Sequence, residues 1–231
     1  MCVMGGPAAH GRLTAMRQPA SSDPRKQLVE SGYDRIAERY LTWASGIDDP
    51  DRARMLELLL ERLPPGGDVL DLGCGAGVPS TVRLAERHRV TGVDISQKQL
   101  RLARQRLPDA ELVHADLGSV EFPAASFDGV TCFYALGHLP REQLGGVFRS
   151  VRRWLRPGGW FLTSLASGDT ADASGEWLGV PMHFSGYSPD RNRELLREAG
   201  FRIDVDDLVP LHEPEGRVTF QWVIATAAAQ G

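Results

Sequence analysis

The peptide Asp68-Val-Leu-Asp-Leu72 runs directly into Gly73-Cys-Gly-Ala-Gly77 and then into a stretch of helical character. A short apolar run that ends on three glycines at alternate positions constrains the fold more than any other feature of the chain. Glycine allows a tight turn and lets a ligand approach bare backbone amides. In an open α/β sheet the carboxyl ends of the strands are where ligands bind. The segment therefore predicts a strand, a ligand-holding loop and a helix within a wound sheet.

The flanking pattern repeats that unit. Pro64-Pro-Gly-Gly67 stops a helix before the glycine segment. Strands are expected at residues 90–93, 110–114, 127–133 and 160–165, with helices at 79–88, 96–107, 141–155 and 188–199. Such alternation specifies a mainly parallel sheet covered by helices on both faces. Two further strands, 201–205 and 217–225, have only a loop between them, so they should pair antiparallel. Ahead of the sheet, Asp23-Pro24 starts a helix that is interrupted at Gly32, and a second helix occupies 51–63. The expected organisation is a flexible tail over 1–22 and one domain over 23–231, with a helical cap at 23–63 and a lid-like insertion at 166–187.

The composition narrows the partners. A net charge of -4 with no block of like charges argues against a nucleic-acid or membrane-surface role. The cysteines, Cys2, Cys74 and Cys132, contain no Cys-x-x-Cys pair, which reads as reduced thiols in a cytoplasmic protein. No apolar run reaches the ~18 residues that crossing a bilayer requires, and residues 1–20 lack the apolar core of a secretory signal. The histidines show no ligand spacing, so no metal is expected.

The acids that follow the second and third strands identify the ligand class. Asp94 lies 19 residues beyond Gly75, where a carboxylate can accept hydrogen bonds from both hydroxyls of a ribose. Asp116 could accept from an adenine amino group, with Leu117 as an apolar wall. A dinucleotide fingerprint would place glycine or alanine where Val78 stands, and Pro79 removes an amide from the first helical turn. Both changes disfavour a nicotinamide-dependent oxidoreductase. Asp71 would repel phosphate and favour a cationic ligand.

With these motifs, residues 24–226 resemble the class I S-adenosylmethionine-dependent methyltransferases, in particular the bacterial small-molecule group. Asp71 to Gly77, Asp94 and Asp116 match the family's glycine loop, ribose acid and adenine-side acid. Phe127-Asp-Gly-Val130 with Phe133-Tyr-Ala-Leu136 resembles its fourth strand and the loop beside the methyl group. Leu155-Arg-Pro-Gly-Gly-Trp160 resembles the turn into its fifth strand. The resemblance implies a Rossmann-like seven-stranded sheet ordered 3-2-1-4-5-7-6, with the seventh strand antiparallel. It implies S-adenosylmethionine as cofactor and S-adenosylhomocysteine as its product. Asp71, Gly73, Cys74, Gly75, Asp94, Ile95, Asp116, Leu117 and Phe133 are then the expected cofactor contacts. Tyr33 or Tyr40, on a helix similar to the family's cofactor cover, would reach the methionine end.

The acceptor is less constrained. The 167–187 segment carries Trp177, Met182, Phe184 and Tyr187, an apolar and aromatic set suited to covering a partly apolar substrate beside Tyr134. His138 and His183 are the candidate bases; His212, in the final loop, ranks below them. A base is needed only if the acceptor must lose a proton. No Asn/Asp-Pro-Pro-Tyr follows the fourth strand, and in the family that tetrapeptide marks many enzymes acting on planar nitrogen. The expectation is methyl transfer to oxygen, nitrogen or carbon of a small molecule by a monomer or homodimer. The alternative is a protein of the same fold that binds the cofactor without methylating, as a scaffold, cyclase or partner-binding module.

Overall fold

The structure is a computed structural model that describes residues 22–214 and 216–228. Residues 1–21, on which most of the expected tail and Cys2 fall, lie outside the described residues, as does Glu215. The chain begins with helices α1 (Pro24–Gly46) and α2 (Pro50–Leu60). It then alternates β1 (Asp68–Leu72), α3 (Ser80–Ala85), β2 (Arg89–Asp94), α4 (Gln97–Arg104), β3 (Glu111–His114), β4 (Phe127–Cys132), α5 (Leu144–Trp154) and β5 (Leu155–Ala166). A hairpin of β6 (Thr170–Trp177) and β7 (Val180–Gly186) follows, then α6 (Pro189–Glu198), β8 (Phe201–Glu213) and β9 (Gly216–Ala227).

The main sheet has the order β3-β2-β1-β4-β5-β9-β8, and β6-β7 forms a separate two-stranded sheet. β9 runs antiparallel to both its neighbours. With the hairpin set aside this is the expected 3-2-1-4-5-7-6 order. The alternation of side chains along β1 builds both layers. Val69 enters the core under α2 and α3 with Met55, Leu59 and Leu84, while Leu70 and Leu72 enter the opposite core with Phe148 and Trp154 of α5. Each fully buried leucine stabilises the fold by about 1.5–3 kcal/mol. Among the described residues no helix is long and apolar enough to cross a membrane.

Three expectations change. α1 is not interrupted at Gly32. There the missing side chain lets α1 approach β7, since a Cβ would lie 2.9 Å from Met182 Cε. The expected insertion carries regular structure not foreseen from its sequence, the β6-β7 hairpin. Its two-residue turn, Leu178-Gly179, has both residues at positive φ (49° and 73°), the conformation that matches strand twist. β6 is largely exposed, so it lacks the half-buried alternation that marks a strand in sequence. Finally, β8 and β9 extend well past the expected limits and pair out to Glu213 and Gly216. His212 therefore belongs to a strand and not to a loop.

α1 lies across the carboxyl ends of the strands. Asp23 caps it by accepting from Arg25 N at 2.9 Å. Asp34 docks it by accepting from Ser96 Oγ (2.7 Å) and Lys98 N (3.0 Å) at the start of α4. Val29 and Ile36 of α1 form a small core with Val180 and Met182 of the hairpin.

Candidate cofactor and acceptor site

The glycine loop is left-handed at all three positions, with φ of 73° at Gly73, 55° at Gly75 and 85° at Gly77. The Gly73 and Cys74 amides donate to Val93 O at 2.7 and 3.0 Å, pinning the loop to the end of β2. A Cβ on Gly73 would stand 2.4 Å from Ala135 Cβ; glycine is what lets the loop after β4 pack directly on it. At Gly75 the nearest atoms to such a Cβ are Gln99 Oε1 at 3.9 Å and Tyr40 Cε1 at 4.0 Å. That side of the loop faces a cleft.

Asp94 closes the loop from β2. Its Oδ2 accepts from Gly75 N and its Oδ1 from Ser96 N, both at 2.8 Å. Each oxygen keeps a further lone pair, enough for two vicinal hydroxyls. Burial pushes this carboxyl up to about 6. Gly73, Gly75, Asp94, Ile95, Asp116, Leu117 and Phe133 all line the cleft, and Tyr33 and Tyr40 of α1 cover it.

Asp71 and Cys74 do not line this cleft. Asp71 accepts from Thr81 Oγ1 at 2.6 Å and Thr131 Oγ1 at 2.8 Å, which ties the loop to α3 and β4. Burial pushes its carboxyl to about 6 as well. A Cβ on Gly92 of β2 would sit 2.9 Å from Cys74 Sγ, so that thiol packs beneath the loop. Together with Asp71 it opens onto a small hollow behind the glycines.

Two polar cleft residues were not expected from sequence. Lys26 of α1 is buried and places Nζ 2.6 Å from Asp116 Oδ2, while Gly118 N donates to Asp116 Oδ1 at 2.8 Å. A lysine in the first turn of a surface helix carries no local sign of this role, and its partner is 90 positions away. Gln99 of α4 is 1% exposed and lines the cleft, and among the described residues neither atom of its side-chain amide has a hydrogen-bond partner. Nothing local in the sequence marks its orphaned amide. A buried, unpaired amide beside two vicinal acceptor positions and a bare glycine loop fits a polar nucleoside ligand.

The cleft meets a second cavity of about 500 Å³, a size typical of small-molecule sites. Tyr33, Tyr40, Tyr134 and His138 line both spaces. Trp177 projects from the hairpin into an aromatic cluster, its ring centroid 5.9, 5.6 and 5.2 Å from those of Tyr33, Tyr40 and Trp43. Phe184 and Phe220 add apolar wall. Tyr134, held at φ 60°, donates its hydroxyl to Asp49 Oδ2 at 2.5 Å. The Arg52 guanidinium lies 5.9 Å from the same ring. Backbone strain of this kind at a cavity wall is characteristic of functional positions.

Of the acceptor-side residues expected from sequence, Tyr134, Trp177 and Phe184 line the cavity, and Met182 and Tyr187 do not. Met182 is fully buried beneath Gly32. Tyr187 packs on the main core under the Arg141 guanidinium, 4.8 Å from its ring.

The two histidines separate in the same way. His138 places Nε2 2.8 Å from the Tyr33 hydroxyl and Nδ1 2.9 Å from His183 O. Burial pushes its imidazole down to about 4, so it is neutral near pH 7. The His183 ring is fully buried, 3.1 Å from Asp172 Oδ1, and lines neither cavity. Its contribution near the site is the backbone carbonyl that orients His138.

Comparison with known proteins agrees with this geometry. Residues 69–159 match a family model described as a methyltransferase domain. The chain is 30% identical over 207 residues to a demethylmenaquinone methyltransferase of Thermotoga maritima, covering 76% of this chain and 89% of that protein. It is 37% identical over 199 residues to the 27-O-demethylrifamycin SV methyltransferase of Amycolatopsis mediterranei, covering 77% and 67%. A crystal structure of the Burkholderia thailandensis 1,6-didemethyltoxoflavin-N1-methyltransferase with 1,6-didemethyltoxoflavin and S-adenosylhomocysteine superposes with a TM-score of 0.68 at 22% identity. That match covers 94% of this chain and 95% of the other. A cleft at the glycine loop of this sheet order, with relatives matched over most of their length, places the chain in the class I S-adenosylmethionine-dependent methyltransferase family.

Proposed function

We propose that the chain moves the methyl group of S-adenosylmethionine to a small, partly apolar acceptor held in the aromatic cavity. The observation that carries this reading is the meeting of cleft and cavity at Tyr33, Tyr40, Tyr134 and His138. Gly73 and Gly75 would let the cofactor approach the loop, Asp94 would accept from its ribose hydroxyls with Gln99 beside it, and Asp116 and Leu117 would face its base. The cofactor supplies an electrophilic methyl on a sulfonium. The protein's part is to hold acceptor and methyl in line and to keep water out, which alone removes a large share of the barrier.

The acceptor class follows from the walls. Aromatic rings from α1, the hairpin and β9 line the cavity, and Asp49, Arg52, Glu213 and Thr219 add polar groups to its wall. This favours a ring-bearing molecule with a polar substituent. The relatives named for a menaquinone precursor, a rifamycin and a toxoflavin precursor support a small-molecule acceptor. The net charge of -4 is consistent with that choice over nucleic acid. The free, buried Cys74 and Cys132 are consistent with a reducing cytoplasm, and we take the working unit to be a monomer or homodimer.

Calorimetry with S-adenosylhomocysteine, and transfer of a labelled methyl group from S-adenosylmethionine to a low-molecular-mass extract of the source organism, test the reading. Binding with transfer into a small-molecule fraction is expected. Binding with no transfer would leave a cofactor-holding protein and refute the enzymatic part. Binding of NAD(H) in place of S-adenosylhomocysteine would refute the whole.

A further inference from the structure

We infer that the acceptor atom is a hydroxyl oxygen and that Tyr33 and His138 act as a pair to take its proton; this rests on the methyl-transfer reading above. A backbone carbonyl can only accept a hydrogen bond. The 2.9 Å contact to His183 O therefore places the imidazole proton on Nδ1 and leaves the Nε2 lone pair to accept. The 2.8 Å contact to Tyr33 is then O–H donating to Nε2. The Tyr33 oxygen keeps its own lone pairs, in the region where cleft and cavity meet.

Edge contacts hold the pair in place. The Tyr33 ring is 5.2 Å from Tyr40 and 5.9 Å from Trp177, and Phe184 lies 5.1 Å from the His138 ring. Three of the acids lining the two spaces are engaged elsewhere, Asp94 by two amides, Asp116 by Lys26 and Asp49 by Tyr134; Glu213 also lines the cavity, on β8.

This arrangement has a use for only some acceptors. A neutral amine attacks through a free lone pair and needs no base beforehand. A hydroxyl that attacks with its proton in place would become an oxonium, so its proton must leave as the new bond forms. The acceptor O–H proton passes to the Tyr33 oxygen while the Tyr33 proton passes to His138 Nε2. The acceptor oxygen forms the O–CH₃ bond as the S–CH₃ bond breaks, and that electron pair stays on sulfur. The positive charge lost from the sulfonium reappears on the imidazolium, whose Nδ1–H already points at a carbonyl. Net charge in the enclosed site is unchanged, and tyrosine is regenerated.

The test uses the full chain, S-adenosylmethionine labelled with ¹³C on the methyl, and the low-molecular-mass extract of the source organism as probe. NMR separates methoxy from N-methyl and C-methyl products by carbon shift. A methoxy product is expected. His138→Gln is the decisive variant: its amide N–H can reach the His183 carbonyl and its Oε1 can accept from Tyr33, yet it cannot take a proton. With S-adenosylhomocysteine affinity retained in calorimetry, His138→Gln and Tyr33→Phe should each lose about 10²–10⁴-fold in kcat. Added imidazole should restore part of the activity of His138→Ala.

An N-methyl or C-methyl product overturns the inference and leaves methyl transfer standing. Undiminished turnover in His138→Gln overturns it as well, by showing that the two hydrogen bonds serve only to tie α1 to the loop after β4. No labelled product at all, with S-adenosylhomocysteine still bound, refutes methyl transfer itself and this inference with it.

Discussion

Replacing Gln99 with leucine should stabilise the free protein and weaken its hold on S-adenosylhomocysteine, two effects of opposite sign from one side chain. Gln99 is 1% exposed, and its amide has no partner among the described residues. Burying such a group unpaired costs about 1–3 kcal/mol, which leucine of similar size would recover. Helix propensity does not oppose the change, since leucine and glutamine rank together. The backbone bond from Gln99 N to Ser96 Oγ at 3.1 Å is untouched. For a chain of this size each kcal/mol moves the melting temperature by about 2–4 °C. The cofactor-free variant should therefore melt about 2–12 °C higher, read by scanning calorimetry. Loss of one neutral hydrogen bond to the ligand is worth about 0.5–1.5 kcal/mol, so affinity for S-adenosylhomocysteine should fall about 2- to 13-fold by titration calorimetry. A melting temperature that stays level or drops, together with unchanged affinity, would refute the reasoning. It would mean that the amide is satisfied in the free protein and turned away from the ligand.

Three further outcomes are expected. Gly73→Ala should be much more damaging than Gly75→Ala. Both require left-handed backbone, worth about 1–2 kcal/mol for a residue with a side chain, but only at Gly73 does the new Cβ meet another at 2.4 Å. Equal melting temperatures for the two variants would contradict this. Lys26→Met strands the Asp116 carboxylate in a buried site and should cost about 3–5 kcal/mol, largely regained in the double variant with Asp116→Asn. Thermal melts of the single and double variants would expose a failure of that coupling. Burial, the largest influence on each, raises Asp94 and Asp71 to about 6 in the folded chain, against about 3.9 when unfolded. Between those values the folded state binds more protons, so both acids add stability as pH falls from 7 toward 4. Cofactor binding should move the other way, because the ionised Asp94 is the better hydrogen-bond acceptor. Affinity for S-adenosylhomocysteine that holds constant from pH 8 to pH 5 would contradict the assignment of the ribose contact to Asp94.

What could be read from the sequence is what depends on local spacing. The short apolar run Asp68–Leu72, the glycines after it and the acid at the end of the next strand define a cofactor loop before any contact is known. The missing crossover between the last two strands makes them antiparallel for the same local reason. The tertiary structure decided which way side chains face and which distant groups meet. Asp71 and Cys74 belong to the loop motif, yet they point beneath it, because Thr81 and Thr131 hold the Asp71 carboxylate and Gly92 leaves room for the Cys74 thiol. Met182 and Phe184 are two residues apart on β7, and only Phe184 reaches the cavity, since Met182 is taken by the gap at Gly32. His183, beside them, gives the site its carbonyl and not its ring. Lys26 with Asp116, and Tyr33 with His138, are paired across 90 and 105 residues. Nothing periodic links such positions. They meet because α1 packs over the strand ends, and that packing is fixed by burial summed over the whole domain and not by any local pattern.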